Sequence, residues 1–313
     1  MRQEVTEVLN QQTSKTAKII ALLQRGLTRR EVADLVTGGN YGFVYNVAKK
    51  YGLLDCPTQL VGYSTDLGVF DRNFGVEIEA YGCSRTRLAQ ELRAAGIETQ
   101  VEGYNHSTRR HWKVVTDSSL DGEQTFELVS PILRGEEGLK ELRKVCYVLD
   151  YLDIKVNGSC GLHIHMEAID FDIQTWRNLV LNYLSLERTI DSFMPASRKG
   201  NRFCRPLQGS INAQRVERAQ SLDELRGIFH NTRYYKLNLE AFDRHHTVEF
   251  RQHSGTTNFT KMEHWIRFLN GMINFARQGQ RIRTTQSTLD QLPFISDDQK
   301  LFYRLRSQKL NQQ

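Results

Sequence analysis

The sequence predicts an α+β fold: an antiparallel sheet backed by helices, preceded by a small three-helix unit. Three observations predict it. Segments such as FGVEIEAYG (74–82) and GLHIHM (161–166) alternate apolar and ionisable residues with the period of a half-buried strand. Between them run long helical stripes, GEEGLKELRKVCYVLDYL and TWRNLVLNYLSLERTIDSFM; the first carries Leu139, Leu142, Val145, Cys146 and Leu149 on one side. Several strand candidates are neighbours along the chain, joined by polar turns, which favours hairpins over parallel strands with crossovers.

Residues 1–55 read as a separate helical unit. Ser14 is placed to cap a first helix carrying Ile19, Ile20, Leu22 and Leu23, and Gly26 ends it. Thr28 with Glu31 has the T-x-x-E spacing of a capping box opening a second helix through Val36. A GGN turn (38–40) then leads into YGFVYNVAKKYGL as a third. Helix, short glycine-containing turn and helix is the pattern of a helix-turn-helix. The unit holds eight Lys and Arg against five Asp and Glu, so contact with DNA through Asn40, Tyr41, Tyr45, Asn46, Lys49 and Lys50 is one expectation. Docking to a protein is the other. Residues 56–67, with a proline, a glycine and small polar residues, read as a linker.

From residue 68 to 313 a single α+β domain is expected. VFDRNFGVEIEAYG is a strand and Arg85–Ala95 a helix; WKVVTDSS and TFELVSP form a strand pair across the polar turn 117–124. After the two long helices and the GLHIHMEAI strand comes an Arg-rich loop (198–205), then a short helix near 221–229. YYKLNL and TVEFRQHSG supply two more strands, and a last long helix covers about 260–278.

The net charge of +6 and pI near 9.0 favour a polyanionic partner such as nucleotide phosphate or nucleic acid. Five scattered cysteines without a C-x-x-C pair argue against a disulfide framework or a zinc knuckle. A reducing, cytoplasmic setting follows. No apolar run approaches the ~20 residues needed to span a bilayer, and the start of the chain has no signal-peptide pattern. No membrane partner is expected.

Chemistry concentrates in residues two apart. Glu77 with Glu79, His163 with His165, and Glu249 with Arg251 each project from one face of a strand, roughly 6–7 Å apart at their bases. His253 is expected to continue the Glu249–Arg251 face. Two carboxylates at ~6 Å repel by roughly 3 kcal/mol at an effective dielectric of 20, so a shared site calls for a cation. Oxygen ligands of this kind suit Mg²⁺ or Mn²⁺. Glu127 stands within an otherwise core-like strand and Asp117 in the turn before it. Arg251, and with it Arg233 and Lys236 of RYYKLNL, can grip phosphate or carboxylate. His111, His230, His245, His246 and His264 are read as surface or structural residues. No P-loop, G-x-G-x-x-G or G-x-S-x-G occurs, so phosphate binding would depend on metal and basic side chains.

Taken in order, G-x-E-x-E, DSSL with FELVSP, GLHIH and VEFRQHSGT resemble the motifs of the amidoligase family, over about residues 70–275. That family belongs with the carboxylate–amine ligases that include glutamine synthetase and glutamate–cysteine ligase. The resemblance implies a glutamine synthetase-like sheet curved around the active site. It also implies ATP-dependent formation of an amide or isopeptide bond through an acyl phosphate. On matching motifs, Glu77, Glu79, Glu127 and Glu249 would hold Mg²⁺ or Mn²⁺ with His163 near them, and His165 would face nucleotide or phosphate. Arg251 would neutralise the transferring phosphoryl group, Arg233 and Lys236 would assist, and Asp117 would deprotonate the amine. The carboxylate and amine partners are left open: small molecule, peptide or protein side chain. Two other readings remain open from the residues. One is a zinc-dependent hydrolase built on His163, His165 and Glu249; the other is a nucleotide-sensing DNA-binding regulator.

Overall fold

The computed structural model describes residues 3–54, 70–283 and 287–312, and the chain divides into two compact units, Met1–Leu67 and Gly68–Gln313. The linker expected at 56–67 lies outside the described residues.

Among its described residues the first unit has four helices where three were expected: α1 (Gln3–Asn10), α2 (Lys15–Gln24), α3 (Arg29–Val36) and α4 (Tyr41–Lys50). The sequence marks the first two caps, at Ser14 and Thr28, and the structure adds a third at Asn40. The Ser14 hydroxyl accepts from the Ala17 N–H, Thr28 and Glu31 close a capping box, and the Asn40 side chain accepts from the Phe43 N–H. Helix α1 is not legible in sequence because QEVTEVLN offers only a short apolar stripe; its Val5 and Val8 nevertheless bury against Ile19, Leu22, Val32 and Val44 in a core of the unit's own.

In the second unit the elements follow as β1 (Asn73–Ala80), α5 (Arg85–Ala94), β2 (Thr99–Val101), β3 (Trp112–Val115), β4 (Phe126–Val129), β5 (Leu133–Arg134) and α6 (Gly135–Tyr151). Then come β6 (Gly161–Glu167), α7 (Ile173–Ser192), α8 (Ala213–Arg218), α9 (Leu222–Ile228), β7 (Leu237–Asn238) and α10 (Ala241–His245). The chain ends with β8 (Thr247–Ser254), α11 (Phe259–Arg277) and α12 (Asp297–Asn311). Among the described residues the strands form one open sheet in the order β2-β3-β4-β1-β6-β8-β7, with β5 paired to β1. Only β2 and β3 run parallel; the fold is α+β with a mostly antiparallel sheet backed by helices.

Alternation sorts the two faces. Val76 and Ile78 of β1, Phe126 and Leu128 of β4, Leu162 and Ile164 of β6, and Val248 and Phe250 of β8 all enter one buried core. Leu142 and Val145 of α6, Leu179 and Tyr183 of α7, and Trp265 and Phe268 of α11 complete it. Each such side chain contributes about 1.5–3 kcal/mol through burial, so the strand register is strongly fixed. A tight joint starts α6: Gly135 has φ +47°, and a Cβ there would lie 2.4 Å from the Phe70 carbonyl oxygen. The alternate residues face the other side of the sheet, where the unit keeps a cavity rather than a second helical layer. No helix among the described residues is long and apolar enough to cross a membrane, and Cys83, Cys146, Cys160 and Cys204 are free and buried.

Candidate functional site

Register brings the paired residues together. Glu77 on β1 lies opposite Val129 on one side and His163 on the other, while Glu79 faces Glu127 across the β1–β4 ladder. His165 lies opposite Glu249 on the next pair of strands. Four adjacent strands therefore present Glu127, Glu77, Glu79, His163, His165, Glu249 and Arg251 on one surface. That surface is the floor of a cavity of about 1790 Å³, whose lining includes all seven.

Contacts are dense. The His163 Nδ1 is 3.1 Å from Glu77 Oε2 and 3.6 Å from Glu249 Oε1, and its Nε2 is 3.5 Å from Glu79 Oε1. His165 Nε2 is 3.3 Å from Glu77 Oε1, and its Nδ1 shares a 2.9 Å hydrogen bond with the Thr247 hydroxyl. Glu249 is held by Arg251 Nη1 at 2.5 Å and by the Asn238 amide, which donates to Oε2 at 2.6 Å. The Gly161 N–H donates to Glu79 Oε2 at 2.5 Å.

Charge is unevenly balanced in this cluster. Burial works to raise the Glu77 carboxyl, but hydrogen bonds and charge from His163 and His165 outweigh it and hold the group well below its usual range. Glu249 is likewise lowered against burial, chiefly by Arg251 and His165. Glu127 goes the other way. Burial and the negative charges of Glu77, Glu79 and Asp117 push its carboxyl well above the ordinary value, the mark of an anionic site short of positive charge. The imidazole of His165 is raised, burial being outweighed by Glu77.

Among the described residues, two sets have donor atoms within 4.8 Å of one another: Glu77, Glu127 and His163, and Glu77, His165 and Glu249. Glu77 belongs to both. Carboxylate-rich donors with one imidazole each suit Mg²⁺ or Mn²⁺, the second better than the first where a nitrogen is bound. A divalent cation would also relieve the excess negative charge that raises Glu127. On donor type and on charge, the residues fit the metal.

Asp117 lines the same cavity from the β3–β4 turn. Its Oδ1 accepts from both the N–H and the hydroxyl of Ser119, each at 2.7 Å. Arg233 lines the cavity from the segment before β7, with its guanidinium 5.4 Å from the centre of the Tyr234 ring.

Two expectations fail. Lys236 does not reach the cavity: its Nζ is fully buried on the helical side, 2.8 Å from Glu187 and 2.7 Å from Asp191 of α7. It neutralises buried carboxylates instead of gripping an anion. The YYKLNL strand shrinks to Leu237–Asn238, and Lys236, just before it, takes the core-facing side. His253 also leaves the face expected for it. The β6–β8 pairing shifts register between Ile164–Phe250 and Leu162–His253, so Arg251 and Gln252 together oppose His163. This β-bulge turns His253 into the core, where it is 1% exposed and lies 5.7 Å from the Trp265 ring.

Sequence reading missed His245. It lines the cavity beside His165, the two rings edge-to-face at 5.5 Å. Burial, the His165 charge and Arg244 bring its imidazole down to about 4, against a smaller opposing pull from Glu77. Its only sequence signal was its place two residues before the TVEF strand. His246 lines the cavity too. His111 instead pairs with Glu102 at 2.7 Å, and His264 stacks on Phe302 at 3.9 Å, both structural roles as expected.

Comparison with known proteins adds the family. No curated protein sequence matches the chain. Among solved structures, one described as the crystal structure of a novel glutamine synthase homolog is similar at 11% identity and a TM-score of 0.35. That similarity covers 78% of this chain and 64% of the other. The family model described as "Putative amidoligase enzyme" matches residues 71–273, which contain every strand of the sheet and all the cavity's ionisable floor. On that match, which covers well over half of its length, the chain belongs to the amidoligase family.

Proposed function

We propose that the protein is an ATP-dependent carboxylate–amine ligase that forms an amide or isopeptide bond through an acyl phosphate. Membership of the amidoligase family supports a ligase, and the single observation that carries the finer reading is Glu77's place in two overlapping donor sets. A site of this kind can bind two divalent cations side by side, the arrangement that phosphoryl transfer uses to neutralise attacking and leaving oxygens.

Glu77, Glu127 and His163 would hold one ion, Glu77, His165 and Glu249 a second, with Glu79 beside them. When bound, Mg²⁺ or Mn²⁺ supplies charge neutralisation at the phosphate oxygens. In the first half-reaction a substrate carboxylate oxygen attacks the γ-phosphorus of ATP and ADP leaves. Arg251, fixed by Glu249, offers its guanidinium to the charge on the transferring phosphoryl group. Arg233 stands at the same cavity to contact phosphate. In the second half-reaction the amine attacks the acyl carbon and phosphate leaves. Asp117 takes the amine's proton through Oδ2, since Oδ1 is occupied by Ser119. Thr247 keeps the His165 ring in place through Nδ1.

A zinc hydrolase finds less support: each donor set has two carboxylates and one histidine, and the carboxylates together outnumber what one catalytic zinc takes. For the first unit we propose a DNA or protein contact through α4, where Phe43, Tyr45, Lys49 and Lys50 are exposed. Calorimetry with Mg²⁺ and ATP tests the site directly. Glu77→Gln removes a ligand from both sets, so it is expected to weaken metal-dependent ATP binding by on the order of 100-fold. Unchanged binding would sink the assignment.

A further inference from the structure

One charged side chain at the cavity has no place in the reading above. Arg198 ends the 3-10 turn Ala196–Arg198 after α7 and is 3% exposed. Its Nη2 donates to the Arg251 carbonyl and its Nε to the Gln252 carbonyl at 3.4 Å. Both acceptors are neutral. Among the described residues no carboxylate reaches it within ion-pair distance, and Nη1 has no hydrogen-bond partner. A guanidinium stays charged in any protein setting, and a buried charge is paired as a rule. This one is anchored on two edges and left open on the third.

The open edge belongs to the cavity, because Arg198 is among its lining residues and Nη1 is not sealed from solvent. Gly161 fixes where it lies. A Cβ on Gly161 would come within 2.9 Å of both Arg198 Nη2 and His163 Nε2, so the guanidinium and the imidazole flank the same glycine. The Gly161 N–H meanwhile donates to Glu79. Arg198 thus stands at the border of the carboxylate–histidine cluster, with Gly158, Ser159 and Asn201 completing the wall. The β8 bulge supplies both carbonyls that hold it, which gives that bulge a use: it presents Arg251 and Arg198 to the same space. Positive charge beside a cation-holding cluster is the setting in which an oxyanion finds donors on two sides.

We propose that Arg198 is the anchor of an oxyanion-binding site in this cavity, which takes a phosphate or carboxylate group against Nη1. The identity of that group deepens the ligase reading and rests on it, whereas the anion site itself can be tested without turnover. Inorganic phosphate, acetate, ADP and ATP serve as probes in calorimetry with Mg²⁺. In Arg198→Met, phosphate affinity is expected to fall at least about tenfold, with Arg198→Lys intermediate. If the group bound is the terminal phosphate of the nucleotide, ATP weakens and ADP does not. If it is a substrate carboxylate, acetate weakens with phosphate while ATP and ADP are unchanged. Wild-type affinity for phosphate, acetate and ATP in a folded Arg198→Met variant overturns the proposal. Crystals of the wild-type protein soaked in phosphate give an answer that needs no variant to fold. An anion within hydrogen-bond distance of Nη1 supports the site, and an empty position there overturns it. Absence of ADP release with every carboxylate and amine tried would count against the ligase reading and leave this measurement standing.

Discussion

Glu127 shows how little of a side chain's chemistry is written at its own position. In sequence it is one carboxylate within TFELVSP; in the fold it faces Glu79 across the β1–β4 ladder and lines the cavity with Asp117. Burial and like charge raise its pKa well above the ordinary value. A raised ligand pKa means that protons compete with metal at low pH, so affinity should climb as pH rises through the Glu127 titration. Calorimetry of Mn²⁺ binding in buffers of differing ionisation enthalpy should show release of up to about one proton per cluster. Glu127→Gln should abolish that release, weaken the metal, and stabilise the metal-free protein by about 1 kcal/mol, since folding no longer has to bury and protonate that carboxylate. Of the eleven residues singled out in sequence for this face, all but Lys236 and His253 line the cavity. The paired ones were legible because i, i+2 spacing on a strand fixes a shared face whatever the partner strand, and Glu127 because a lone carboxylate interrupts a core-like strand. Arg198 and His245 were not, since each lies in a loop or helix end whose direction only the tertiary fold decides.

At the scale of elements, period carried most of the information and ladders carried the rest. The strands of the central sheet and helices α5, α6, α7 and α11 fall where alternation or a 3.6-residue stripe predicts. The missed elements are of two kinds. Short ones such as β2, β5 and α8 are defined by their neighbours, and α12 has a polar sequence that places only Gln299 and Tyr303 in buried positions. Face assignment failed wherever regular pairing stopped. The bulge on β8 sends His253 inward, and the two-residue β7 leaves Lys236 on the core side. That lysine now has a structural explanation. Glu187 accepts from the Leu207 and Gln208 N–H groups while also meeting Lys236, and Asp191 accepts from Gln252. Lys236→Met would strand buried Glu187 and half-buried Asp191 without their cation and should cost about 3 kcal/mol in urea unfolding. The folded fraction should keep its nucleotide affinity; a specific loss of ATP binding without loss of stability would return Lys236 to the cavity.

For the whole molecule, the separate cores of the two units lead to a simple expectation. Val5, Ile19, Leu22, Val32 and Val44 pack in one cluster and the sheet with its helices in another. A chain lacking residues 1–67 should therefore fold cooperatively and bind Mg²⁺ and ATP as the full chain does; an unfolded or inactive product would show that the units depend on each other. Any DNA or protein contact made by the first unit should disappear with it.

If a carboxylate passes through an acyl phosphate on its way to an amide, one of its oxygens must leave with phosphate, and isotope transfer reads that step. Carboxylate substrates labelled with ¹⁸O, from amino acids to peptides, are incubated with primary amines or ammonia, Mg²⁺ and ATP, and the released phosphate is weighed by mass spectrometry. One ¹⁸O atom is expected in the phosphate for each amide formed, and neither label transfer nor amide with Glu77→Gln. Amide formation without ATP, or phosphate carrying oxygen from water alone while amide accumulates, would contradict it.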